Sequence, residues 1–340
     1  MHPVRSLAAA LVLTLGAAQP AAGPTGTLVV TNMRDHTATI LDLASGRTLA
    51  TLATGEAPHE AAVSHDGRWA VVTNYGVRER PGHTLSVVDL RQPAVVRTID
   101  VAPYQRPHGV AFLPGDRTLL VTSEGAQQVL EVDFASGRIV DSLGTRGRAT
   151  HMLAVSADGH RIVTANIVDG TITSFRRPGG PAAVIPVARF VEGITVSPDG
   201  RTAWVGSNGD SVVVAVDLER GTPIDTLRGF GMPYRLGWTR DGRTVVIADP
   251  VRGEIRIVDA ATRKNRSVIV VPREGVVETA EVPGSPSPEG VALSADGRFA
   301  FVTLQGRNQV ATIDLGSGAI VGVLPTGVWS DGVAWSPLTR

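Results

Sequence analysis

Residues 106–123 read RPHGVAFLPGDRTLLVTS, and variants of this phrase return throughout the chain. Each has a polar opening, a short apolar run, an Asp/Gly turn and a second apolar run ending on a small polar residue. Copies start at Pro58, Pro107, Thr150, Val191, Pro233 and Pro288, and a half-copy, SDGVAWSP, fills 330–337. Repetition at a fixed period constrains a fold more than any local signal. Each unit is too small to bury its apolar face alone and must pack against the next.

Between copies lie further β-branched runs. Residues 27–32 (TLVVTN), 37–43 (TATILDL) and 48–52 read as strands before the first full copy. After the copies, runs such as 85–90, 129–134, 212–218, 255–260 and 310–315 mostly close on Asp and an apolar residue. A fourth, more variable run follows each. Four strands in about 42 residues is the period of a propeller blade. The second, third and fourth strands occur seven times, while the seventh first strand is the terminal half-copy. The expected fold is therefore an all-β, seven-bladed β-propeller with four antiparallel strands per blade. Its ring is closed by the C-terminal strand completing the N-terminal blade, which leaves few open sheet edges. Asp-Gly at 66–67, 158–159, 199–200, 241–242 and 296–297 supplies the turn after each first strand. The Asp ending each third strand is expected to cap the next turn.

Composition agrees and narrows the functional classes. Thirty-eight Gly and 22 Pro against 19% charged residues suit many turns and few helices. Zero formal net charge argues against a nucleic-acid partner. No Gly-rich loop opens a helix, so no nucleotide cofactor is expected. Residues 1–23 have the charge, apolar run and small residues of a signal peptide, with cleavage expected between Ala18 and Gly23. No later segment could span a membrane, and there is no cysteine. The expectation is a periplasmic or secreted, monomeric propeller occupying 24–340 without disulfides.

Aligning the copies on their turns exposes one informative column. It holds His59, His108, His151, Glu192, Tyr234, Glu289 and Asp331. In a propeller the innermost strands ring a central channel, so these residues should surround one opening. Three imidazoles with an open position suit zinc, copper or iron better than calcium, making His59, His108, His151, Glu192, Glu289 and Asp331 candidate metal ligands. The loops after the second strands emerge on the same face, which adds Asn74, Tyr75 and Asn166, with Tyr234 and Arg235, as candidate ligand-binding residues.

The Val-Thr-Asn endings at 30–32 and 72–74, with Ser-Pro-Asp-Gly at 197–200, resemble the YVTN-type repeat of YncE-like exported propellers. That resemblance covers the whole chain after residue 23 and implies the seven-bladed fold. A local stretch, Asn74-Tyr75-Gly76 with Pro58-His59 upstream, is similar to lactonase-type seven-bladed propellers. His151-Met152 is similar to their Arg-His-aliphatic segment, with Thr150 in place of the Arg. Three functions follow as expectations. One is a metal-centred site that binds or transforms a small molecule. A second is a metal-independent lactonase or isomerase using Arg235, Glu192 or Glu289. The third is a non-catalytic platform for a protein or cell-envelope partner.

Overall fold

The computed structural model describes residues 23–277 and 282–340. Residues 1–22 of the expected signal peptide lie outside them. Seven four-stranded antiparallel sheets form the blades of a closed ring. Blades 2 to 7 begin with inner strands Pro58–Val63, Pro107–Phe112, Thr150–Val155, Val191–Val196, Arg235–Trp238 and Pro288–Leu293. Blade 1 takes its inner strand from the C-terminus: Ser330–Ser336 pairs antiparallel with Thr27–Asn32, Val29 opposite Ala334. Trp335 Nε1 donates to the Thr25 carbonyl at 3.0 Å, so both chain ends are held in one blade. Among the described residues, no helix is long and apolar enough to cross a membrane.

The core is distributed around the ring rather than central. Seven clusters of buried apolar side chains occur, one in each interface between neighbouring blades. Second strands are buried throughout, as in Thr27–Asn32 and Thr244–Asp249, because both faces meet a neighbouring blade. Outermost strands alternate exposed and half-buried residues, as Ala319–Pro325 does. Each fully buried Val, Leu or Ile contributes about 1.5–3 kcal/mol, so closure of the ring recruits a seventh interface's worth of burial.

The repeated polar residues act as expected. Asp42, Asp133, Asp259 and Asp314 accept from backbone N–H groups of the turn that follows their strand. In the Asp-Gly turns the preceding Ser or Thr donates to the Asp, as Ser197 does to Asp199 at 2.5 Å. Where the order is Pro114-Gly115-Asp116, Asp116 itself takes positive φ (57°). Its carboxylate then clamps blade 2 instead, accepting from the His65 and Asp66 backbones at 2.8 and 3.0 Å.

One irregularity matters most. In six blades the inner strand shifts register near its start, so that two residues oppose one. His59 and Glu60 face Thr73, His108 and Gly109 face Thr122, and Asp331 and Gly332 face Thr31. Such a bulge re-aims the side chains at that point. Threonine hydroxyls join three of the bulges to the next blade: Thr122 Oγ1 accepts from Gly109 N–H at 2.8 Å and donates to the His151 carbonyl at 2.6 Å. Thr31 and Thr303 donate likewise to His59 and Asp331 at 2.7 Å. The second bulge residue is Gly in four blades because the next strand passes so close. A Cβ on Gly290 would lie 2.2 Å from the Asp331 carbonyl oxygen. Gly290→Ala is therefore expected to destabilise the ring by about 1–3 kcal/mol in urea unfolding, whereas Gly322→Ala, whose Cβ meets nothing closer than 4.0 Å, should change stability little.

Candidate functional site

The bulges turn the whole column into one mouth of the channel. His59, His108 and His151 lie side by side on blades 2, 3 and 4, with ring centroids 4.8 and 3.6 Å apart. His59 Nδ1 lies 2.9 Å from Asp331 Oδ2 of blade 1. His151 is gripped on both nitrogens, by Glu124 at 2.8 Å and Glu192 at 3.3 Å. Glu124 also accepts from the Tyr75 hydroxyl at 2.9 Å, and the Tyr75 ring packs 4.6 Å from His59 and under Arg106. Glu289 accepts from Gln305 Nε2 at 2.8 Å, and Glu192 from Asn208 Nδ2 at 2.5 Å. Beneath them Arg235 reaches across the ring from blade 6 to Glu60 of blade 2, with Nη2 and Nε 2.8 and 2.9 Å from Oε1. It also holds Glu192 at 3.2 Å. The site is thus a polar bowl floored by a cross-ring ion pair.

Burial and charge divide the histidines. Burial, reinforced by the neighbouring cations His151 and Arg235, holds His108 well below the usual imidazole range. It is neutral, fully buried, and neither ring nitrogen has a hydrogen-bond partner. Burial alone would do the same to His151, but the bonds to Glu124 and Glu192 prevail and push it up to about 9. The same contacts, with Arg235, overcome the burial of Glu192 and bring it down to about 2. Burial raises Glu60 against the pull of Arg235, with Asp331 adding to the rise. Tyr75 is raised by burial and by Glu124, so its phenol stays protonated.

Every residue of the aligned column therefore lies at the mouth, together with Tyr75 and Arg235. Their arrangement departs from the expected metal centre. The imidazoles stack rather than point at one another's centre, both His151 nitrogens are engaged by carboxylates, and among the described residues no three ligating side chains converge on a common point. Tetrahedral coordination at about 2.0–2.1 Å from each nitrogen is not prepared here. His59 fits a different task. Its ring is 14% exposed while Nδ1 is wholly buried, so its accessible edge is the Nε2 side.

Three expectations are corrected. Asn74 and Asn166 turn into their blades: Asn74 Nδ2 donates to Thr84 and Ser86 and its Oδ1 accepts from Gly55, while Asn166 Nδ2 bonds Thr171 and Thr173. They clamp turns because a carboxamide has a donor and an acceptor for both sides of a loop. Arg235 is 4% exposed and committed to Glu60 and Glu192, so it is not presented to a lactone or other substrate.

Two members went unread in the sequence although signals existed. Glu60 stands where Gly109, Gly193, Gly290 and Gly332 stand in other blades, a charge in a glycine column. Glu124 belongs to a second column, the residue after each second strand. That column also contains Tyr75, Asn208 and Gln305, each of which touches the site.

Comparison with known proteins places the chain more closely. Residues 14–177, just under half of the chain, match the cytochrome D1 heme domain family, and 258–332 match the choice-of-anchor I domain. A dihydro-heme d1 dehydrogenase of Pseudomonas aeruginosa is 26% identical over 265 residues, which are 75% of this chain. The chain spans 44% of that protein's length. Among solved structures, a functionally unknown protein from Desulfotomaculum acetoxidans superposes with a TM-score of 0.74 at 14% identity, covering 92% of this chain and 99% of that one. The β-propeller domain of Cps50 (Swd1) from a Myceliophthora species gives 0.68 at 15%, covering 85% and 92%. These likenesses establish the fold, and the seven-bladed reading of the sequence holds.

The two buried histidines should give stability opposite slopes with pH. His151 binds its proton more tightly folded than unfolded, so its contribution is complete below about 6.5 and is lost as pH rises through about 9. The limit of that loss is on the order of 3 kcal/mol. His108 is held neutral, so stability falls as pH drops through about 6.5, where the unfolded chain takes up its proton. Denaturant titrations between pH 5 and 10 should show a maximum near neutrality. His151→Gln should flatten the alkaline limb and His108→Asn the acid one.

Proposed function

We propose that this chain, a seven-bladed β-propeller of the YVTN-repeat type, binds a metal-bearing tetrapyrrole across the polar mouth, with His59 as the residue facing the metal. The observation that carries this reading is the setting of His59. Nδ1 lies buried 2.9 Å from Asp331 Oδ2, without hydrogen-bond alignment, and the side chain as a whole is 14% exposed. A metal-bound histidine is commonly backed by a carboxylate on its second nitrogen, which fixes the tautomer and raises basicity. Histidine is also a frequent axial ligand of heme iron. The cytochrome D1 heme domain match spans blades 2, 3 and 4, where all three histidines lie. The similar dehydrogenase is itself named for a heme d1 precursor.

The surroundings suit a flat amphiphile. Loops on this face expose Phe190 (54%), Val168, Val251 and Val328, and Trp329 sits beneath Arg34. An apolar collar around a few oriented polar groups is the usual form of a small-molecule site. Arg34 and Arg106 are cations for peripheral carboxylates. When bound, such a group would supply electron transfer to or from a second molecule. The chain's own part is to bind, orient and move protons. Tyr75 holds its proton at the mouth against Glu124, His151 stores another between two carboxylates, and the Glu60–Arg235–Glu192 floor closes the bowl.

Titration of the purified protein with ferric protoporphyrin should give a saturable Soret shift and quench tryptophan emission. His59→Ala should weaken binding at least tenfold and change the Soret position, and Asn74→Ala should alter stability more than binding. No saturable binding, or binding indifferent to His59, would remove the reading.

A further inference from the structure

On the face opposite the bowl, the interface between blades 5 and 6 leaves a gap at the edge of its buried cluster. A cleft of about 370 Å³ opens between them, lined by Trp204, Trp238, Arg240, Ala260 and Arg263. Its origin is visible in the repeat. The residue after each third-strand Asp, or after Arg176 in blade 4, bonds back to the turn ahead of the second strand. It is Leu43, Leu90, Phe134, Arg177, Leu218 and Leu315 in the other blades. Between blades 2 and 3, Phe134 fills this space, packing edge-on against Phe112 at 5.0 Å and Trp69 at 6.0 Å. In blade 6 the residue is Ala260, and Trp238, equivalent to Phe112, meets only the edge of Trp204 at 5.5 Å.

The gap holds two donors that the fold leaves unpaired. Trp238 Nε1–H is buried and has no acceptor, a costly arrangement unless something else supplies one. Arg240 occupies a turn position that elsewhere carries His65, Pro114, Ala157, Pro198, Ala295 and Pro337. Among the described residues it has no hydrogen bond or ion pair. It borders this cleft and also the lower channel opening beside Ala62, Ala111 and Ala295. Asp199 and Asp241 also line the cleft, and each turns one carboxylate oxygen back into its own turn. Asp199 accepts from Ser197 and from Arg201 N–H, and Asp241 from Thr239 and Arg243 N–H. Two donors without acceptors thus stand beside an unfilled apolar space.

We infer that this cleft is a second ligand site, for a small organic acid whose carboxylate meets Arg240 and the Trp238 N–H and whose flat apolar body fills the volume that Ala260 leaves. Guanidinium and indole N–H both donate and neither accepts, so a carboxylate satisfies them where an ammonium group does not. Charge-assisted bonds of this kind are roughly twice as strong as neutral ones. The site lies on the opposite face from His59 and is independent of tetrapyrrole binding.

Benzoate is the probe, followed by the indole N–H resonances in ¹⁵N-labelled protein, with Trp238 assigned through Trp238→Phe. A saturable downfield shift of the Trp238 resonance is expected, with binding weakened about tenfold by Arg240→Ala and reduced by added salt. Ala260→Leu should abolish binding while leaving the unfolding midpoint unchanged or higher, because it restores the packing of the other interfaces. His59→Ala should have no effect. Benzamide has the same body without the charge and should bind far more weakly. Equal binding of benzamide and benzoate, binding that survives both Arg240→Ala and Ala260→Leu, or no shift of Trp238 would overturn the proposal.

Discussion

The arrangement of this molecule depends on a two-against-one bulge at the start of the inner strands. A regular strand would alternate its side chains between the two blade interfaces and offer the channel little. By placing His59 with Glu60 opposite Thr73, or His108 with Gly109 opposite Thr122, the bulge frees one residue per blade to face the mouth. The threonine hydroxyl then bonds the carbonyl of the corresponding residue in the next blade, in the case of Thr122 and His151 at 2.6 Å. The same contact that joins blades also sets the position of each functional side chain. In the Val-Thr-Asn of 30–32 the Thr joins neighbouring bulges in this way, and in that of 72–74 Asn74 holds the loop above.

Close approach at the bulge explains why glycine dominates its second position, and the exceptions carry the chemistry. Glu60 and Arg235 extend from that position toward the channel axis and meet from blades 2 and 6. Desolvating two charges costs several kcal/mol per ion, which mutual attraction offsets only with good geometry. Arg235 contacts two carboxylates, and Glu192 is further held by His151 and Asn208. The buried charges therefore form one network, in which loss of a member leaves another unpaired. Neutral His108 sits among them because a third cation beside His151 and Arg235 would be both desolvated and repelled.

The blade interfaces follow a similar logic of rule and exception. Six carry a large or long side chain after the third strand, toward the lower face. The interface closed by Ala260 is open and carries the unpaired Arg240. Repetition makes such departures readable: a change of one residue in one copy alters one interface and leaves the other six intact.

Much of this was determined by the sequence alone. Its period, its turn residues and the missing first strand of blade 1 dictate seven blades closed by the C-terminus, since apolar patterning and hydrogen-bond satisfaction leave no other economical pairing. The column from His59 to Asp331 was also legible, because equal positions in a repeat fold to equal places. What the sequence could not contain was the direction of side chains after a bulge and the contacts that cross the ring. Glu60 and Arg235 are 175 residues apart, and only closure of the ring brings them within 2.8 Å. Asn74 and Asn166 share the polar character of site residues, and only the loop geometry turned them inward. Three neighbouring histidines suggested a metal centre, yet burial and the flanking carboxylates left His108 neutral and His151 protonated. Those are properties of packing in three dimensions, where distance and desolvation, rather than residue type, decide what an imidazole does.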